Sequence, residues 1–290
     1  MEWLEISVEV DAEAAEAVAE VLARYVERGV AIEAGPDGWH AGPVVVRAYL
    51  PDDDQLWSKR RKIQEGLWHL GQITPIPEPT FRLVAEEDWT EAWKKRLKVL
   101  RVGDRIVIQP SWLDYARQPG DVVIRLDPGM AFGTGLHPTT QMCLRALDEL
   151  MRPRMEVLDF GTGSGILAIA AARLGASSVL AVDNDLQAVK VARGNVIGND
   201  VGDIVRVRRG GLADVDGSYD VVIVNILARV IVELIEEGLA ERMNRDGVFI
   251  GAGITDDKAC EVMAAFEGKG LKLLDQRRQD DWISLLVKRI

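Results

Sequence analysis

The apolar run Val157, Leu158, Asp159, Phe160 opens directly into Gly161, Thr162, Gly163, Ser164 and Gly165. A strand that ends in an acid and turns on three glycines has few structural uses. Glycine reaches positive φ without steric cost and lets a ligand approach bare backbone. An alanine-rich stretch follows, and a second apolar strand, Ser178 to Val182, ends in another acid, Asp183. Strand, glycine turn, helix, strand, acid is the layout of a nucleoside-binding α/β unit. Asp183 stands 22 residues after Gly161, where its carboxylate can accept hydrogen bonds from ribose hydroxyls.

The spacing of the turn narrows the ligand. Gly161, Gly163 and Gly165 form G-x-G-x-G, and Ile166 occupies the place of the third glycine of a dinucleotide fingerprint. A pyrophosphate is therefore not required. The helix beginning near Ile166 directs its first amides at the turn, where they suit a carboxylate such as that of a methionine moiety. The better cap for the helix after Asp183 is Asp185, which leaves Asp183 for a ligand.

A chain of 290 residues has room for two domains. Seven of its eight tryptophans precede residue 127, so the two halves read as different structures. Net charge is −11, and residues 1–58 hold thirteen acids against Arg24, Arg28 and Arg47. That front end suits a basic partner and argues against direct nucleic-acid binding. No stretch approaches the ~18 uncharged apolar residues of a membrane span, so no membrane partner is expected. The start, Met1 to Glu5, lacks the basic region of a signal peptide. A cytoplasmic monomer is expected. Cys143 and Cys260 are too few for a disulfide framework or a zinc site. Both lie in apolar helical patterns and are read as buried thiols, and no metal is expected.

Residues 1–85 read as strand Leu4–Val10, a helix capped by Asp11 and running to about Glu27, strands Val30–Glu33 and Val44–Tyr49, a helix from Pro51 to Leu70, and strand Phe81–Val84. The order βαββαβ predicts an α+β ferredoxin-like domain. Residues 86–126 read as a linker helix, Glu86–Leu97, with connecting strands at Arg105–Ile108 and Val122–Leu126. Residues 127–290 alternate regularly. Helix Thr140–Met151 leads into strands at Glu156, Ser178, Ile204, Tyr219 and Val248, separated by helices at Ile166–Leu174, Leu186–Ile197, Leu227–Glu241 and Asp256–Lys269. Strands Lys272–Gln276 and Trp282–Val287 close the chain with no helix between them. Five parallel strands and a terminal hairpin make a seven-stranded, Rossmann-like α/β sheet. The antiparallel last strand is characteristic of class I S-adenosylmethionine methyltransferases rather than of nicotinamide-binding domains.

Asn225 ends the fourth of these strands, at the carboxyl edge where open α/β sheets bind ligands. In amino-methylating enzymes this place commonly holds an Asn-Pro-Pro-aromatic segment that grips the target amine. Here it reads Asn225, Ile226, Leu227, Ala228; the Asn is kept, and the prolines and aromatic are not. Upstream, Asp127–Thr140 is a loop shaped by glycines and prolines around Phe132 and His137. Thr139 or Thr140 is expected to cap the following helix, and His137 reads as a structural loop residue.

The loop Asp127–Thr140, the turn Asp159–Gly165 and the segment Asn225–Ala228 together resemble the bacterial ribosomal protein L-eleven methyltransferase family. Asp88, Trp89, Trp93, Lys94 and Pro110–Trp112 add to the likeness. The resemblance implies S-adenosyl-L-methionine as methyl donor, with Thr140, Gly161, Gly163, Asp183 and Asn225 binding it. It implies that Asn225 and the Ile226 carbonyl orient the acceptor amine. The substrate it implies is a basic ribosomal protein of the large-subunit stalk base, methylated on lysine ε-amino and N-terminal α-amino groups and recognised by the N-terminal domain. Three readings compete. They are methylation of another protein lysine or a small amine, a catalytically silent cofactor-binding module, and a nicotinamide oxidoreductase, the last opposed by the glycine spacing and the terminal hairpin.

Overall fold

A computed structural model describes residues 2–26, 30–33, 44–72, 75–85, 98–126, 135 and 137–289. The linker helix, with Trp89, Trp93 and Lys94, and most of the loop Asp127–Leu136 lie outside the described residues. The chain divides into two units, Met1–Leu97 and Lys98–Ile290.

In the first unit, β1 (Glu2–Val10), β2 (Val30–Glu33), β3 (Val44–Pro51) and β4 (Thr80–Ala85) form one sheet in the order β2-β3-β1-β4. The neighbouring strands are all antiparallel. With α1 (Ala12–Ala23) and α2 (Leu56–Leu70), this is the ferredoxin-like arrangement of two interlocked βαβ units. Period-two alternation explains the register. Leu4, Ile6, Val8 and Val10 of β1, and Val44, Val46, Ala48 and Leu50 of β3, are all buried in one core. From α2, Leu56, Ile63 and Leu67 enter that core at helical spacing. Gly66 lets α1 approach, since a Cβ there would stand 2.8 Å from Val21. Asp11 occupies the cap position of α1 but makes no side-chain capping bond, and the helix ends at Ala23 rather than near Glu27.

The second unit holds β5 (Leu100–Val102), β6 (Ile106–Gln109) and β7 (Val122–Arg125) in a small sheet of its own. Strand β5 is an addition to the sequence reading; three residues are too few to show a period. Buried Asp148 anchors this sheet by accepting from the Asp104 and Arg105 amides and from Arg105 Nε. The segment 98–126 therefore belongs to the second unit.

The large sheet comprises β8 (Glu156–Phe160), β9 (Ser178–Asp183), β10 (Val205–Arg209), β11 (Tyr219–Asn225), β12 (Met243–Thr255), β13 (Leu271–Gln279) and β14 (Trp282–Arg289). Its order is β10-β9-β8-β11-β12-β14-β13. The first five are mutually parallel, and β14 runs antiparallel between β12 and β13. This is the class I methyltransferase topology expected above. Helices α3 (Pro138–Leu150), α4 (Ile166–Arg173), α5 (Leu186–Gly198), α6 (Ala228–Glu236) and α7 (Ala259–Gly268) connect the strands. Cores with α3 and α4 on one side, and with α6 and α7 on the other, leave the central strands buried on both faces.

Three local expectations are corrected. α3 is capped by His137, not by Thr139 or Thr140: the His137 side chain accepts from the Thr139 amide, and Pro138 starts the helix, where its missing N–H costs nothing. Helix α6 stops at Glu236, because Gly238, at φ +107°, turns the chain into a short 3-10 segment. Cys143 is buried but Cys260 is exposed, since the inward face of α7 is Ala259, Val262 and Phe266.

Candidate active site

The glycine turn is held from behind. Gly161, Gly163 and Gly165 have φ of +78°, +55° and +83°, which other residues rarely adopt. The Gly161 and Thr162 amides both donate to the Val182 carbonyl, at 2.8 and 3.0 Å, tying the turn to the end of β9. Asp159, 1% exposed, accepts from Thr162 Oγ1 at 2.6 Å and from the Ala168 amide at 3.1 Å through Oδ2. Its Oδ1 is buried without a hydrogen-bond partner. Burial pushes the carboxyl up to about 6, against the pull of those two bonds and with a further push from Asp183. The sequence reading treated Asp159 only as a strand terminator. Its place within the apolar run Val157, Leu158, Phe160 is the available signal of a buried acid.

Asp183 closes the turn from the next strand. Its Oδ2 accepts from the Gly163 amide at 2.9 Å and its Oδ1 from the Asp185 amide at 3.0 Å. Each oxygen keeps a further lone pair, so the carboxylate can still accept a hydroxyl. Asp185 caps α5 through the Gln187 amide. Asp183 is thus fixed by two backbone amides and only partly buried.

Asn225 ends β11 beside this turn. Its Nδ2 lies 3.4 Å from Thr140 Oγ1, and its Oδ1 is buried with no hydrogen-bond partner. An orphaned amide oxygen at a strand end is costly unless something bonds to it. Thr140 itself is fully buried on α3. The next residue, Ile226, links the halves of the site. Its Cγ2 sits 2.6 Å from where a Gly161 Cβ would be, and its carbonyl oxygen 2.2 Å from where a Gly253 Cβ would be. Gly253 has φ +82°; it was not singled out in the sequence, where nothing marks which strand end faces Ile226.

Thr140, Gly161, Gly163, Asp183, Asn225 and Ile226 therefore converge on one carboxyl edge. His137 stands at its rim, with Nδ1 2.7 Å from Thr139 Oγ1 and its ring edge-on to Trp282, centroids 4.9 Å apart. Burial lowers the pKa of its imidazole. The cradle fits a nucleoside with an amino-acid tail: bare glycine backbone, a carboxylate for hydroxyls, and an unpartnered amide oxygen beside them. Among the described residues, no group of three or more His, Cys, Asp or Glu side chains is gathered to hold a metal. No helix there is long and apolar enough to cross a membrane.

The chain is similar to several known proteins along its length. A protein from Chloroflexus aurantiacus named ribosomal protein L11 methyltransferase is 45% identical, with 99% of this chain and 98% of that protein aligned. The protein of the same name from Herpetosiphon aurantiacus is 40% identical over 100% and 99% of the two chains. The crystal structure of ribosomal protein L11 methylase from Lactobacillus delbrueckii subsp. bulgaricus superposes with a TM-score of 0.63 at 37% identity, covering 67% of this chain and 99% of that one. The family model described as ribosomal protein L11 methyltransferase (PrmA) matches residues 2–290, and the chain belongs to that family.

Proposed function

We propose that this protein transfers methyl groups from S-adenosylmethionine to lysine ε-amino and N-terminal α-amino groups of ribosomal protein L11, in the cytoplasm. The observation that carries this reading is the buried, unpartnered Asn225 Oδ1 beside the Ile226 backbone, packed against the glycine turn. When bound, the sulfonium cofactor supplies an electrophilic methyl group. In this reading Gly161, Gly163 and Thr140 shape its bed, and Asp183 accepts from its ribose hydroxyls.

The acceptor must arrive as a neutral amine, yet a lysine has a reference pKa of ~10.4. Desolvation at the buried edge favours the uncharged form. Asn225 Oδ1 and the Ile226 carbonyl accept the amine's hydrogens and aim its lone pair. The rate then comes mainly from in-line positioning, with reacting atoms ~3–3.5 Å apart. Gly253 supports that role, because any side chain there would displace the Ile226 carbonyl. The acidic N-terminal unit serves as the recognition module for the basic substrate.

The test is incubation with isotopically labelled S-adenosylmethionine and unmethylated ribosomal proteins, with label located by mass spectrometry. Label on L11 amino groups is expected. Label only on another protein or on a small amine would overturn the substrate. Cofactor binding without any transfer would leave a silent module.

A further inference from the structure

The second unit carries another concavity, at the far ends of the two helices that serve the glycine turn. Helix α4 begins at the turn and ends at Arg173; α5 begins beyond Asp183 and ends beside Asn199. At 1.5 Å per residue these ends lie about 10 and 20 Å from the helix starts. Between them and the edge strand β7 lies a groove of about 700 Å³ whose lining includes Arg117, Arg125 and Arg173.

Two buried side chains build it. Asp121, 4% exposed, accepts from Tyr115 Oη at 2.6 Å, Arg101 Nη2 at 2.7 Å and the Gln118 amide at 2.8 Å. Its carbonyl accepts from Arg117 Nε and Nη2 at 3.1 and 2.8 Å. Asn199, 1% exposed, grips the Arg125 peptide, accepting from its N–H at 2.8 Å and donating to its carbonyl at 2.6 Å. Arg173 donates to the Asn199 carbonyl. Two guanidinium groups are thus held by main-chain carbonyls, which orient them without neutralising them. Among the described residues no carboxylate lies within ion-pair distance of any of the three arginines.

Asp114 and Asp200 also line the groove. Two carboxylates beside three arginines disfavour an acidic peptide. They suit a ligand with both anionic oxygens and hydroxyl donors. We propose that this groove binds a ribonucleotide, free or within single-stranded RNA. Arg117, Arg125 and Arg173 meet phosphate oxygens, and Asp114 and Asp200 accept from ribose hydroxyls. The proposal is independent of the methyl-transfer reading.

The experiment uses the full chain, a labelled mixed-sequence RNA of about twelve nucleotides and adenosine 5′-monophosphate, titrated between about 50 and 200 mM salt. RNA binding is expected to weaken with salt, by about 0.7 log units per log of salt for each phosphate contact. Replacing Arg117, Arg125 and Arg173 together by Ala should weaken it at least ~10-fold and flatten the salt dependence, with S-adenosylmethionine affinity unchanged as the check on folding. Mononucleotide binding that the triple variant loses and that saturating S-adenosylmethionine does not displace, alongside RNA binding, assigns the site to the nucleotide; RNA binding without it assigns the site to the strand. No binding of either ligand overturns the proposal, as does RNA affinity that the triple variant leaves unmoved. Equal binding of DNA of the same sequence, or equal competition by polyglutamate, overturns it too.

Discussion

The two halves of the carboxyl edge are built differently. At the glycine turn the backbone is pinned from several sides: Gly161 and Thr162 to Val182, Gly163 to Asp183, and Ala168 to Asp159. At Asn225 the side-chain amide nitrogen reaches Thr140 Oγ1 at 3.4 Å, and among the described residues the amide oxygen has no partner. The first half is a cradle braced by its own main-chain and carboxylate hydrogen bonds. The second is a polar group held in position by packing, with its acceptor unspent. In the proposed function, the braced part holds the cofactor and the unsatisfied part selects the acceptor.

The largest test of this contrast is Gly253→Ala. A Cβ there would stand 2.2 Å from the Ile226 carbonyl oxygen, and φ +82° adds strain of about 1–2 kcal/mol. Turnover should fall by ~100-fold or more, while cofactor affinity by calorimetry changes only a few-fold. Equal losses in both would mean that the halves are not separable. Asn225→Ala comes next. We expect kcat to drop ~100-fold from lost orientation, with a much smaller change in cofactor Kd; a variant that binds cofactor as poorly as it turns over would contradict the amine-holding role. Gly161→Ala should show the opposite pattern, with cofactor Kd weakened ~10-fold by left-handed strain and by the 2.6 Å approach to Ile226.

Stability against pH, on which two buried acids act with opposite sign, tests the cradle by itself. Asp159 has its folded pKa raised to about 6, above the unfolded value of ~3.9. The folded state therefore binds the extra proton, and this residue's contribution declines as pH rises from about 4 to 6, by on the order of 2–3 kcal/mol. Asp121 is lowered to about 2, chiefly by the Tyr115 hydroxyl. Its contribution is present above about pH 4 and is lost as pH falls toward 2. Thermal melts of Asp159→Asn from about pH 2 to about pH 7 should lose the first slope, above about pH 4, and keep the second, below it; an unchanged first slope would place the shift elsewhere.

Much of this was legible in the chain. The strand order in sequence, the glycine turn and the start of α4 at Ile166 follow from local rules: period two, period 3.6, and glycine's freedom at positive φ. The Asp185 cap was equally local. The cap on α3 was misread, because Thr139 and Thr140 are better average caps and only the placement of Pro138 makes His137 the last non-helical residue.

The sequence by itself therefore determined the class of sheet, the glycine turn and the two acids near the ends of the strands that flank it, because each is specified by residues within a few positions of one another. Tertiary structure alone decided what faces what. It set Thr140 against Asn225 across 85 residues, placed Gly253 beneath the Ile226 carbonyl, sealed Asp159 from solvent, and used Asn199 to hold a strand 74 residues upstream. The contacts at Asp159, Asn225 and Ile226 depend on the register of β8, β11 and β12, which hydrophobic burial selects only when the whole sheet assembles.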